Sequence, residues 1–360
     1  MSGYDRRRRL RHAAMVVRVG LLVLFAFLSP PATVGAGPVG PAYAQQQPAG
    51  KVYRIGFLSQ GQLPKAYVEA LQQGLRERGY AEGRNLVWEL RSTDGSLDQL
   101  QQFAEELVRL RVDVIVARSS SGTIAAKRAT ALIPIVFVSV YAPVEIGLVS
   151  SLGHPGGNIT GVAINVEDML AKRVQLLKEL VPTLKRVAML SHPPHPTNAM
   201  QLQGAMAAAR TLGVHFEEVP VRGPDDFASA LKALRGIDGV LNADNPFFVT
   251  HRVRLVDAVA GNRLPAIYPH RIYVEAGGLM SYGPNILDLW RRAAAYVDKI
   301  LKGAKPGDLP VEQPTTFELV INNKTAKAIR LTIPPSLVSR AKRIMICGVS
   351  PEIHPGARRL

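Results

Sequence analysis

Short runs rich in valine and isoleucine alternate with amphipathic segments along most of this 360-residue chain, and that alternation sets its fold class. "YRIGFLS" precedes "AYVEALQQGLRERG", "NLVWELRS" precedes "SLDQLQQFAEELVRLR", and "VDVIVAR" precedes "GTIAAKRATA". "PIVFVSV" precedes "APVEIGLVSSL", and "NITGVAI" closes the series. A continuous apolar run reads as a strand buried on both faces, and apolar residues at three- and four-residue spacing read as a helix lying on it. The same pattern then restarts. "RVAMLS", "VHFEEVPV", "GVLNA", "LPAIYP" and "GGLMSYG" read as strands. Between them "AMQLQGAMAAARTLG", "PDDFASALKALRG" and "FVTHRVRLVDAVAGN" read as helices. Each series makes one α/β lobe with a parallel sheet, so the chain is expected to fold as two Rossmann-like lobes.

The first residues follow a different logic. "DRRRRLRHAAM" is a basic region, "VVRVGLLVLFAFL" an apolar one, and Ala42-Tyr43-Ala44 fits a small-residue cleavage site before Gln45. Residues 1–44 are therefore expected to be an export signal, cleaved after Ala44. The other reading is an uncleaved membrane anchor, against which the apolar run counts, being shorter than the ~20 residues that a membrane-spanning helix needs.

Composition narrows the function classes. A hydrophobic content of 47% and a charged content of 20% suit a packed globular body. The single cysteine, Cys347, excludes an internal disulfide. The net charge of +16 falls to +11 without residues 1–44, which carry six arginines and one aspartate. Lysines and arginines are scattered through helical segments such as "AKRVQLLKEL", and no basic stripe is interleaved with aromatics, so no nucleic-acid partner is expected.

Polar turns recur where the strands end. Ser59 and Gln60 follow the first strand, and Ser119, Ser120, Ser121, Gly122 and Thr123 follow the third. The stretch from Ser139 to Pro143 follows the fourth. In the second lobe the corresponding turns hold Ser191-His192-Pro193, Asn242 to Pro246, Tyr268-Pro269-His270 and Ser281-Tyr282-Gly283. Open parallel sheets bind ligands beyond the carboxyl ends of their strands. Hydroxyls and free amides at a helix start favour an anion, most simply a carboxylate, although the same serines could serve only as helix caps.

The segments "IPIVFVSVYAPVEIGLVSSLGHPGGNITGVAI" and "RLPAIYPHRIYVEAGGLMSYGPNILDLWRRAAAYVDKILKGAKPGDLPVEQPTTFELVINNKTAKAIRLTIPPSL" resemble the ABC-transporter substrate-binding protein family, of the tryptophan/tyrosine-binding type. The resemblance runs from Tyr53 to Ala341. It implies a type I periplasmic-binding fold, with two lobes joined by a three-segment hinge that closes on a small solute. The crossings are then expected near residues 162–166, 282–285 and 310–314. The first lobe would span 45–163 and the second 164–282. Residues 283–310 would return to the first lobe, residues 311–345 would add an extended segment and final helix to the second, and 346–360 would form a tail.

Residues matching the family's cleft loops are Ser59, Gln60, Ser120, Ser121, Gly122, Thr123, Tyr141, His192, Asp244, Asn245 and Tyr282. By resemblance the first-lobe helix start takes a ligand carboxylate. Asp244 is the candidate for an ammonium group, its other reading being a cap for the helix after Pro246. Tyr141 and Tyr282 are the expected ring contacts. Two loops depart from the family pattern: "SHPPHP" replaces an Asn-Pro-rich turn and "ARSSSG" a Gly-Thr-Pro corner. Both departures put the identity of the solute in question.

Other chemistry finds less support. His192 and His195 are separated by prolines with no cysteine or acidic partner beside them, so no metal is expected. "GHPGGNITG" lacks the strand, G-x-G-x-x-G and helix order of a dinucleotide loop, and no G-x-S-x-G elbow accompanies the serines. No cofactor and no catalytic residue are expected. The resulting expectation is an exported periplasmic monomer that captures an amino acid or related carboxylate and delivers it to the membrane subunits of an ABC permease. A ligand-sensing module for a membrane signalling receptor is the alternative, and a two-lobe enzyme a more distant one.

Overall fold

The computed structural model describes residues 50–165 and 167–345, all within one compact unit. The expected export signal with its cleavage site, and the tail carrying Cys347, lie outside the described residues.

Strands β1 (Tyr53–Ser59), β2 (Leu86–Ser92), β3 (Val114–Arg118), β4 (Ile135–Tyr141) and β5 (Ile159–Ile164) form the first sheet. Their order is β2-β1-β3-β4-β5 and every pair is parallel. β3 is buried at all five positions, as a central strand covered on both faces must be. Phe57, Val116 and Val136 pack in one cluster with Trp290, whereas Leu58, Ile115 and Phe137 pack in another with Leu100 and Leu107. The two-residue period thus sends neighbours to opposite faces. Helices α1 (Lys65–Arg76), α2 (Leu97–Arg109) and α3 (Ser119–Ala129) follow successive strands. Ser96 caps α2 by accepting from the Gln99 amide, with Asp98 in its first turn and Arg109 in its last, a charge order that suits the helix dipole.

The second lobe contains β6 (Arg186–Ser191), β7 (His215–Pro220), β8 (Gly239–Asn242), β9 (Ala266–Tyr268), β10 (Met280–Pro284), β11 (Phe317–Asn322) and β12 (Arg343–Met345). Their order is β12-β11-β10-β9-β8-β6-β7. Its helices are α4 (Glu167–Leu180), α5 (Asn198–Thr211), α6 (Phe227–Ala233), α7 (Pro246–Thr250), α8 (Arg252–Gly261) and α9 (Arg271–Glu275). Among the described residues only β10 and β11 pair antiparallel. β11 arrives from the other lobe instead of through a crossover helix, so the parallel rule does not bind it.

After β10, helix α10 (Ile286–Leu301) lies against α1 of the first lobe. A Cβ on Gly74 would stand 2.7 Å from the Ala294 Cβ, so these helices touch backbone to backbone. The chain then runs along β5: Glu312 donates to Gly161 at 3.1 Å and Ala163 donates to Glu312 at 2.8 Å. It next pairs Phe317 with Pro284, then forms α11 (Asn323–Ala328) beside β12 and α12 (Pro335–Arg340) against α4.

Two local expectations change. The segment "APVEIGLVSSL" forms turns, because positive φ at Ala142 (46°) and Gly147 (69°) breaks any helical run. "FVTHRVRLVDAVAGN" divides into α7 and α8 at His251, whose φ of −95° and ψ of 17° leave the helical region.

Candidate functional site

The carboxyl ends of the two sheets face a cleft with about 380 Å³ of free space, part of it continuous with solvent. Little of that space is enclosed: the closed cleft has room for about one water molecule, so a solute enters only when the lobes part.

The first-lobe wall begins with Arg118, the last residue of β3. Its guanidinium is buried and reaches only Ser59 Oγ and the Gln62 carbonyl, both at 3.5 Å, the outer limit of a hydrogen bond. It also lies 5.7 Å from the centre of the Tyr67 ring. Burial lowers its pKa from the ordinary arginine value, the Tyr67, Tyr273 and Asp244 side chains opposing the shift. Among the described residues no carboxylate forms an ion pair with it. Arg118 is also the N-cap of α3 and supplies no side-chain acceptor there, so the positive end of that helix opens beside the cation. Ser119 follows at φ 64°, an uncommon backbone for serine, with its buried hydroxyl unpartnered.

Ser139 reaches the cleft through a β-bulge. The register of β4 against β5 shifts between Val138 and Val140, and Ser139 takes φ 60°. A bulge re-aims one side chain without ending the strand. Tyr67 and Trp290 supply the apolar surface, their rings stacked at 6.1 Å, with Phe57 behind Trp290 at 5.2 Å. Burial pushes the Tyr67 hydroxyl up to about 12, Arg118 pulling the other way. The indole Nε1 of Trp290 is buried and unpartnered.

On the second lobe Asp244 follows β8. Its carboxylate accepts from His270 Nε2 at 2.8 Å and from the Tyr141 hydroxyl, which comes from the first lobe. Burial raises the carboxyl's pKa, but the His270 ring, Arg173 and the Tyr141 hydroxyl outweigh it and hold the group down to about 2. Gln201 fixes the backbone of Asp244 from both sides, accepting from its amide at 2.8 Å and donating to its carbonyl at 3.0 Å. Arg173, itself buried, donates to the Tyr282 carbonyl at 2.8 Å and braces β10.

The structure gathers some sequence-expected residues and separates others. Tyr141, Asp244 and Asn245 line the cavity. Asn245 caps α7 by accepting from the Phe248 amide at 3.0 Å, so the cap belongs to Asn245 and leaves the Asp244 carboxylate free to face the cleft. Ser59 turns back on its own loop, donating to the carbonyls of Gln60 and Gly61, and Gln60 donates to Gly95 at 2.9 Å. Ser120 holds the Tyr141 amide, Thr123 bonds to the Ser119 carbonyl, and Gly122 packs near the Leu58 carbonyl. Ser121 is buried outside the lining with its hydroxyl unpartnered. His192 stacks on Phe247 at 4.3 Å and bonds the Val221 carbonyl, and Tyr282 stacks on Phe317 at 5.9 Å. Neither lines the cavity.

His195, His270, Arg118 and Trp290 line it instead. The sequence signal for Arg118 was a charged residue closing an otherwise apolar strand. Among the described residues no group of three or more His, Cys, Asp or Glu is placed to hold a metal ion, and no helix is long and apolar enough to cross a membrane.

Residues 55–345 match the family described as ABC transporter substrate binding protein. The chain belongs to that family. This substrate binding protein is similar to a tyrosine-binding protein of Clostridioides difficile (strain R20291), at 27% identity over 266 residues, 74% of this chain and 75% of the relative. It is also similar to a conserved domain protein of Vibrio cholerae O1 biovar eltor, at 27% identity and a TM-score of 0.78, over 82% of this chain and all of that one. An ABC domain from Streptococcus pneumonia, solved in complex with L-Trp, is 25% identical with a TM-score of 0.77 over the same shares. The two lobes have the type I periplasmic-binding fold.

Proposed function

We propose that this substrate binding protein works as an exported, periplasmic monomer that captures a small carboxylate-bearing solute, an amino acid or a related acid. It then presents its closed form to the membrane subunits of an ABC permease. Arg118 is the observation that carries the reading: a buried cation without an acidic partner, at the wall of the inter-lobe cleft, beside a helix start. A buried charge is costly unless paired, so a ligand carboxylate completes the site. The stacked Tyr67 and Trp290 rings offer an apolar face for the rest of the molecule. A neighbouring hollow, partly open to solvent, shares Tyr67, His270 and Ile286 with the cavity and lies where a larger substituent would extend. The relatives described by a tyrosine or an L-Trp ligand support a solute of this size.

Lobe closure supplies the signal for delivery. The Tyr141 to Asp244 contact already spans the lobes, and a ligand held by both walls adds to it. The test is a thermal-shift screen of the purified protein against amino acids, small carboxylates, purines and sugars. A ligand at a hundredfold excess over its Kd stabilises the native state by about 2.7 kcal/mol. The expected result is a shift of several degrees with an acid or amino acid. A shift confined to sugars or purines would contradict the reading.

A further inference from the structure

The polar atoms left over in the cleft do not balance. Asn245, a lining residue, accepts from the Phe248 amide through Oδ1, which leaves its Nδ2 as a buried, unpartnered donor. Trp290 Nε1 can only donate. For His195 the tautomer follows from the Thr197 backbone amide, which donates to Nδ1 at 3.4 Å and so makes that nitrogen the acceptor, with the Thr197 hydroxyl beside it at 3.1 Å. Burial lowers the His195 pKa to about 3, so the ring is neutral and its single hydrogen sits on the unpartnered Nε2. The guanidinium of Arg118 adds further donors. Against these four donor residues stands Asp244, whose two oxygens already accept from His270 and Tyr141. Ser119 Oγ and His270 Nδ1 can serve either role. Each of these unpartnered side chains is more than nine-tenths buried.

We infer that the cleft is built for an acceptor-rich anion, a carboxylate without an α-ammonium group, in preference to a zwitterionic amino acid. An ammonium group brings three donors to a site whose leftover side-chain atoms are mostly donors, and adds positive charge where two buried arginines, Arg118 and Arg173, already stand against the single carboxylate of Asp244. A carboxylate brings acceptors for Arg118, Asn245, His195 and Trp290 and leaves the Asp244 bonds intact. This inference rests on the proposed solute-binding role.

The experiment is calorimetric titration of the purified protein with matched pairs: hydrocinnamate against L-phenylalanine, phloretate against L-tyrosine, indolepropionate against L-tryptophan, and isocaproate against L-leucine. At least one carboxylate is expected to bind tenfold or more tightly than its amino-acid partner. Equal affinity, or tighter binding of the amino acid, in every pair that binds overturns the inference and leaves the solute-binding role standing. No binding by any member of any pair removes both. Asn245→Asp is the second arm, since aspartate keeps the α7 cap while turning the free donor into an acceptor. It is expected to cut the carboxylate preference tenfold or more, and an unchanged preference overturns the inference.

Discussion

Replacing Tyr141 with Phe removes one oxygen and keeps the ring in place. That oxygen carries the bond from the first lobe to the Asp244 carboxylate on the second. A hydrogen bond to a charged group contributes about 1.5–3 kcal/mol. Asp244 keeps its His270 partner at 2.8 Å, so the loss should not exceed that range. If the bond exists only when the lobes are closed, the same energy leaves the closed state, shifting the open-to-closed ratio of the unliganded protein by about tenfold to a hundredfold. Small-angle X-ray scattering reads this directly, and Tyr141→Phe should have a larger radius of gyration than the wild type without ligand. A closing ligand should bring the two together. A variant as compact as the wild type, with unchanged urea stability, would refute the view that this bond holds the cleft shut.

Further expectations follow from the packing and the buried charges. The Asp244 carboxyl is held at about 2 against an ordinary 3.8, worth roughly 2 kcal/mol of stability. Because the folded pKa is depressed, that contribution is full above the unfolded value and is lost as pH falls toward the folded one. Urea unfolding should therefore show the wild type's advantage over Asp244→Asn narrowing between about pH 5 and pH 2, and a constant gap would contradict the assignment. Gly74→Ala pushes a methyl to 2.7 Å from the Ala294 Cβ and should cost about 1–3 kcal/mol in chemical denaturation. Wild-type stability in that variant would mean α1 and α10 are not in close contact.

The two lobes were legible because their strands are continuous apolar runs, and such runs have few alternatives to a sheet covered on both faces. The corner after β3 was legible only in part. Its serines read as ligand groups, yet Ser120 and Thr123 serve the backbone, and Ser119 alone of the hydroxyls there reaches the cavity. Helical phase explains this: once Ser119 takes φ 64°, the following residues turn away along α3. Arg118 was read as the end of a strand, and Trp290 lay unremarked in the 283–310 segment expected to return to the first lobe. Neither role can be seen before α10 returns to the first lobe and sets the indole beside Tyr67. His192 read as a ligand group but stacks on Phe247, a pairing formed only when α7 folds back over β6. The bulge that delivers Ser139 interrupts a strand whose sequence, "PIVFVSV", reads as regular.

The central claim is that Arg118 holds the carboxylate of a captured solute, and calorimetry on Arg118→Gln tests it most directly, using the acid that most stabilises the wild type. Removing one partner of a buried, hydrogen-bonded charge pair costs about 2 kcal/mol or more, so the variant should bind about thirtyfold more weakly or not at all. A wild-type circular dichroism spectrum and a melting point no lower than the wild type's would show that the fold persists. Affinity within threefold of the wild type would contradict the claim and move the anion site elsewhere in the cleft.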